Sequence, residues 1–179
     1  VEHIRQDPCW SIVQAALKDL PVQPKSIVCY GLGRIDASMI RMLALESYDI
    51  SYQLAFLVLL SELYHHCHVH YYDPIFNSGT RKENRVYHAI LQHFEFNHIQ
   101  ENESARRRCT VPTLFYMPRN TPNLHSNLIE TNAHAPWNII LIGSVFSNLQ
   151  KFPVIARAVQ VMRVQPLCCE EFQQTIDDF

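Results

Sequence analysis

The chain has 179 residues, 47% of them hydrophobic and 18% charged, a composition that excludes a disordered chain and supplies enough apolar side chains for a full core. A formal net charge of −2 excludes a general attraction to nucleic-acid backbones or anionic lipid. The longest uninterrupted apolar run, Leu54 to Leu60, is seven residues, against the roughly 20 that span a bilayer, so no membrane association is expected.

The first helix is marked by Asp7-Pro8, a side-chain acceptor followed by proline at the first helical position. Trp10, Val13, Leu17 and Leu20 follow at helical spacing, and Pro21 and Pro24 close the segment. Ser26 to Tyr30 reads as a buried strand ended by Gly31. Residues 34–49 hold an apolar patch, Met39 to Leu45, that suits a short helix or a lid. From Ile50 to Tyr64 the chain is apolar almost all round, the pattern of a helix buried between a sheet and another layer.

Val69 to Tyr72 is a second strand, ending in Asp73-Pro74. A helix is expected from about Thr80 to Phe94, then a weak strand near Phe96 to Gln100 and a polar, solvated loop over 101–110. Pro112 to Met117 reads as a strand stopped by Pro118. A helix from Pro122 to Thr131 precedes the apolar strand Asn138 to Ile142, stopped by Gly143. The remainder suggests a helix over Phe152 to Val161, an edge strand near Met162 to Val164 and a last helix from Cys169. No repeat or linker divides the chain, so one domain over 1–179 is expected. Its start at Val1-Glu2-His3, with no signal-like stretch, suggests a domain trimmed from a longer chain.

Helices and strands alternate, and the strands are continuous apolar runs, which is the mark of a parallel sheet covered on both faces. The expected fold is an α/β, three-layer Rossmann-like domain with its strand carboxyl ends on one edge. Three of the four glycines, Gly31, Gly33 and Gly143, fall at that edge, where ligands of such sheets sit. Six cysteines without a Cys-x-x-Cys spacing suggest reduced thiols in an intracellular compartment, with Cys29 packed in a strand and vicinal Cys168-Cys169 either redox-active or packing.

Gly31 and Gly33 lack a Cβ and let the backbone approach a ligand, while Asp73 stands where nucleotide-binding folds place a ribose-gripping carboxylate. The match is loose: Asp36 replaces the third glycine of Gly-x-Gly-x-x-Gly, and Asp73 lies about twice as far along as the usual ~20 residues. Two readings stay open, a nucleotide or S-adenosyl ligand held by the turn, or a turn that only builds the fold. Tyr30, Pro118 and Ser144 border the same edge, with Ser147 further along, and Arg34 or Arg119 would pair with an anion there.

"HHCHVH" offers His65, His66, Cys67, His68 and His70 as candidate zinc or haem-iron ligands. Strand alternation instead sends His68 and His70 to one face, and His65 and His66 fall in a turn where histidines can cap carbonyls. Arg106-Arg107-Arg108 has no interleaved aromatics, so nucleic-acid binding is not expected of it.

Five blocks in order, "CYGLG" (Cys29 to Gly33), "YQLAFLVLL" (Tyr52 to Leu60), "YDPIF" (Tyr72 to Phe76), "TLFYMP" (Thr113 to Pro118) and "ILIGSVF" (Ile140 to Phe146), resemble the sensitivity-to-red-light-reduced (SRR-like) domain family over residues 25–150. The resemblance implies a regulatory protein rather than a characterised enzyme, placed in the cytoplasm or nucleus and working with a protein partner. It implies links to light signalling and circadian timing in plants, and to haem metabolism and clock-linked expression elsewhere. The family pattern carries His-Cys after the "YMP" block, where this chain has Arg119-Asn120, and Asn-Ser-Phe after the last glycine, where it has Ser144-Val145-Phe146. The leading expectation is therefore a regulatory domain, leaning to non-catalytic, that senses a nucleotide-containing metabolite. The alternatives are a nucleotide- or S-adenosylmethionine-dependent enzyme and a haem or metal binder.

Overall fold

The computed structural model of the chain describes residues 1–33, 48–74, 88–118 and 120–143. The elements expected near 34–47 and beyond 151, Cys168-Cys169, and most of the helix expected from Thr80 lie outside the described residues. Its last turns, 88–93, are helical.

Five strands form one sheet: β1 (Ser26–Tyr30), β2 (His68–Tyr72), β3 (Asn97–His98), β4 (Thr113–Met117) and β5 (Ile139–Gly143). Their spatial order is β3-β2-β1-β4-β5, and every pairing is parallel. The sheet is flanked by helices, so the chain has the α/β Rossmann-like architecture its strand pattern predicts. β1 is central, with Ile27 to Tyr30 all buried, as a strand covered on both faces requires. From β1 the chain builds outward to β3, then returns to lay β4 on the other side. The carboxyl ends of β1 and β4 thus flank the switch point of the topology.

Register sorts the side chains. Ile27 and Cys29 share a face with Val69, Tyr71, Leu114 and Tyr116, and this face packs with helices α2 (Pro8–Lys18) and α3 (Tyr48–Leu63). α2 begins as the sequence predicts. Asp7 Oδ1 accepts the Cys9 N–H at 2.7 Å, Pro8 occupies the first turn, and Trp10, Val13 and Leu17 form the buried stripe. In α3, Ala55 to Leu60 are buried in unbroken succession. Phe56 stacks on Tyr116 with centroids 5.3 Å apart and meets Trp10 edge-on at 5.2 Å. The far side of α3 is bound to the N-terminal segment. Tyr64 Oη donates to the Leu17 carbonyl, Arg5 pairs with Glu62, and Ile4 of the short helix α1 (Glu2–Arg5) is buried. That segment is the outer layer an all-round apolar helix needs.

The opposite face, with Val28, Tyr30, Tyr72, Phe115 and Met117, is covered by Leu128 of α4 (Pro122–Thr131) and by Ala105 and Cys109. The polar loop expected over 101–110 is a loop with half of its residues exposed, but it is also anchored to the sheet through Ala105 and Cys109. Asn132 accepts the Cys109 N–H at 2.8 Å and donates to the Arg107 and Leu128 carbonyls. Arg107 forks onto Glu103 at 2.8 and 2.9 Å, and Glu103 accepts the Tyr30 hydroxyl at 2.6 Å. An ion pair supplies its own polar partners, which is why so polar a stretch can lie on the sheet.

Two smaller differences concern strand limits. Gly143 does not follow β5 but ends it, in register with Met117, and a side chain there would meet His125 Nε2 at 2.9 Å. β3 is only two residues long. Cys29, Cys67 and Cys109 are buried free thiols and Cys9 is half-buried. Burial above all, with the Asp73 charge added, pushes the Cys29 thiol well above its ordinary range. No described helix is long and apolar enough to cross a membrane.

Candidate functional site

The turn after β1 needs both of its glycines. Gly31 and Gly33 have φ of +74° and +83°, conformations that L side chains rarely adopt. Between them Leu32 is buried, which anchors the turn to the core. The Gly31 N–H donates to the Tyr72 carbonyl at 3.1 Å, extending the β1–β2 ladder by one step. Gly33 then donates its N–H to Asp73 Oδ2 at 2.8 Å, and Asp73 is itself buried.

The other side of the switch point is joined by Asn120, whose side-chain amide donates to the Tyr30 carbonyl at 2.6 Å. A Cβ on Gly31 would lie 3.0 Å from Asn120 Nδ2, so Gly31 serves this approach as well as its own φ. Pro118 is half-buried directly after β4, and Thr121 caps α4 by position.

His125, in the first turns of α4, is fully buried. Its Nδ1 lies 3.1 Å from the Thr121 carbonyl, which can only accept, so the hydrogen-bond pattern assigns the proton to Nδ1. Nε2 is then a bare acceptor facing Gly143, with no hydrogen-bond partner among the described residues. Burial lowers the pKa of His125, opposed by the bond to Thr121, and keeps the ring neutral.

The sequence-derived site residues thus fall into two sets. Gly31, Gly33, Asp73, Pro118 and Gly143 lie at or just beyond strand carboxyl ends, and Tyr30 joins them through its carbonyl only, its hydroxyl being held by Glu103. Arg34, Arg119 and Ser144, like Asp36 and Ser147, lie outside the described residues. The histidine run disperses. His65 is exposed, His66 Nε2 and Cys67 Sγ both approach the Pro24 carbonyl at 3.2 Å, and His68 and His70 face the opposite side of β2 from Val69. No three metal-ligating side chains come together among the described residues.

Sequence reasoning missed the roles of Asn120 and His125. His125 shares a helical stripe with Leu128 and Asn132, a spacing that marks it as facing inward. Asn120 carried no local signal for a partner 90 positions away. Chemically, among the described residues the Gly33 N–H is already taken: a pyrophosphate seeking it would meet the Asp73 carboxylate bound there.

The profile of the SRR1 domain matches residues 11–178. The chain is 31% identical over 140 residues to the SRR1-like protein of Mus musculus, covering 74% of this chain and 49% of that one. It is 30% identical over 109 residues to Protein SENSITIVITY TO RED LIGHT REDUCED 1 of Arabidopsis thaliana, covering 59% and 34% respectively. The SRR1-like protein of Drosophila melanogaster is 24% identical over 143 residues, covering 79% and 46%. The chain therefore spans about half the length, or less, of these curated relatives. No solved structure gives a significant match.

Two predictions follow from this geometry. Gly31→Ala should cost about 1–3 kcal/mol through its backbone conformation and its crowding of Asn120. In an Asn120→Ala background the crowding part disappears, so denaturant titrations of the double-mutant cycle should show coupling of at least ~0.5 kcal/mol. Strict additivity would mean that the two residues do not meet.

The second concerns pH. Burial is the leading cause that lowers the pKa of His125, His70 and His98, helped by Arg107 and His68 at His70 and by His88 at His98. The unfolded chain, with histidines near 6.5, then binds more protons than the folded one, and stability falls as pH drops below 6.5. The melting temperature should fall between pH 7.5 and 5.5, and His125→Asn should flatten that fall. An unchanged slope in the variant would remove His125 as a cause.

Proposed function

The chain belongs to the SRR1 domain family, and from that premise we propose that it is a regulatory domain whose carboxyl edge recognises a partner protein rather than catalysing a reaction. The observation that carries this reading is that, among the described residues, the chain's own side chains already hold the backbone groups of the turn. Asp73 holds the Gly33 N–H and Asn120 holds the Tyr30 carbonyl, leaving the Gly31-Leu32-Gly33 turn as architecture. The residues proposed to border the contact are Tyr30, Gly31, Gly33, Asp73, Pro118 and Gly143, joined by Arg34, Arg119 and Ser144 from the adjoining segments. Light signalling enters through the printed name of the Arabidopsis relative, which refers to sensitivity to red light.

A second reading has one observation in its favour. Asp73 follows β2 in a sheet of order β3-β2-β1-β4-β5, the position from which an acid reaches ribose hydroxyls in nucleotide-binding folds. Under this reading the edge senses a nucleotide-containing metabolite.

A thermal-shift screen with S-adenosylmethionine, S-adenosylhomocysteine, NAD(H), NADP(H), ATP and haemin separates the two. A ligand at 100 times its dissociation constant adds about 2.7 kcal/mol, or roughly 5–10 °C in midpoint at this chain length. The partner-protein reading predicts no shift with any of them. A shift with one nucleotide that Asp73→Asn abolishes would replace it with the metabolite reading.

A further inference from the structure

The amino edge of the sheet, opposite the turn just described, holds a groove of about 440 Å³ that opens to solvent. It lies between the first residues of β1 and β4, with Ser26 and Thr113 on its floor, and the segment carrying Arg106, Arg107, Arg108 and Thr110. Its volume is in the range of small-ligand sites. Glu103 is the one carboxylate in its lining, and that charge is neutralised within the protein by two bonds from Arg107 and one from Tyr30.

No described carboxylate neutralises the other two guanidiniums. Arg106 donates to the uncharged Asn127 Oδ1 at 2.8 Å, and Arg108 is exposed. Among the described residues no carboxylate lies within ion-pair distance of either. The backbone beneath them is held in a costly shape. Ser104 and Ala105, neither a glycine, have φ of +48° and +57°. Such residues persist only where surrounding bonds over-determine them. Here Asn127 donates to the Ser104 carbonyl, and Asn132 donates to the Arg107 carbonyl and accepts the Cys109 N–H, on either side of Arg108. Strain and bonds together turn Glu103 inward and keep three successive arginines against the groove.

A guanidinium fork matches phosphate oxygens two at a time, and clustered arginines are a recurrent means of recognising phosphorylated side chains. The chain as a whole carries a net charge of −2, so this cationic cluster is not backed by an overall positive charge that would draw in any polyanion. An open groove admits a side chain from outside, whereas small free ligands are mostly engulfed. We propose that the groove between Arg106–Arg108 and the starts of β1 and β4 binds a phosphate monoester, carried on a phosphorylated serine or threonine of a partner protein. This site is independent of the carboxyl edge and stands whichever reading of that edge holds.

The test is NMR titration with acetyl-Gly-phosphoSer-Gly-amide, its unphosphorylated form and inorganic phosphate, at constant ionic strength. The phosphopeptide should perturb the Ser26, Arg108 and Thr110 amides, and the unphosphorylated form should not. The double variant Arg106→Gln/Arg108→Gln should weaken binding at least tenfold, with Arg108→Gln alone giving a smaller loss at an unchanged melting temperature. Inorganic phosphate binding as tightly as the phosphopeptide would overturn the side-chain source in favour of a free anion. Absence of phosphopeptide binding, or binding that the double variant leaves intact, would overturn the site.

Discussion

Asn120 donates its amide to the Tyr30 carbonyl at 2.6 Å, and that bond crosses the place where the topology changes direction. β1 and β4 are paired as far as Cys29 and Tyr116, after which Tyr30 pairs with β2 and Met117 with β5. A buried carbonyl at such a fork costs stability unless something meets it. Asn120 meets it, and Gly31 leaves the space for it to do so. On the other side of β1, Asp73 does the same for the Gly33 N–H. The turn is thus latched from both neighbouring strands, and the carboxyl edge that in related architectures opens toward a ligand is here held by side chains of the same chain.

Tyr30 connects this latch to the rest of the molecule. Its carbonyl is held by Asn120, and its hydroxyl crosses the face of the sheet to Glu103. Burial, with Glu103 beside it, pushes the Tyr30 hydroxyl far above its ordinary pKa, so it stays a donor. Burial pushes the Glu103 carboxyl up, but Arg107 and Tyr30 outweigh it and hold the group below its usual range. One residue of the central strand therefore ties the latched turn to the arginine-lined amino edge, and neither can rearrange without disturbing a partly buried hydrogen bond.

Much of the architecture was legible in the residues. The cap at Asp7-Pro8, the apolar run of Ser26 to Tyr30 and the all-round apolar stretch of α3 are local patterns, and local physics decides them. The five blocks that resemble the SRR-like family include the ends of β1, β2 and β4 and much of α3, which explains why a resemblance carried by short motifs extends to the fold. The two glycines of the turn were legible because glycine adopts such a backbone at the least cost. What was hidden is non-local. The Glu103–Arg107 pair has the i,i+4 spacing of a helix in a segment that is not helical, so polarity alone made it look solvated. Asn120 has a partner across the sheet, and His125 looked like an ordinary polar residue until its stripe was set against Gly143.

The latched turn is tested most directly by amide hydrogen exchange at Gly33, followed by NMR in the wild type and in Asp73→Ala. A glycine amide in an exposed turn exchanges freely, whereas one bonded to a buried carboxylate must wait for that bond to open. The account predicts strong protection of Gly33 that disappears in the variant while amides of β1 remain slow. Exchange of the wild-type Gly33 amide at the rate of a free loop would contradict it, and the turn would then present its N–H to whatever ligand approaches.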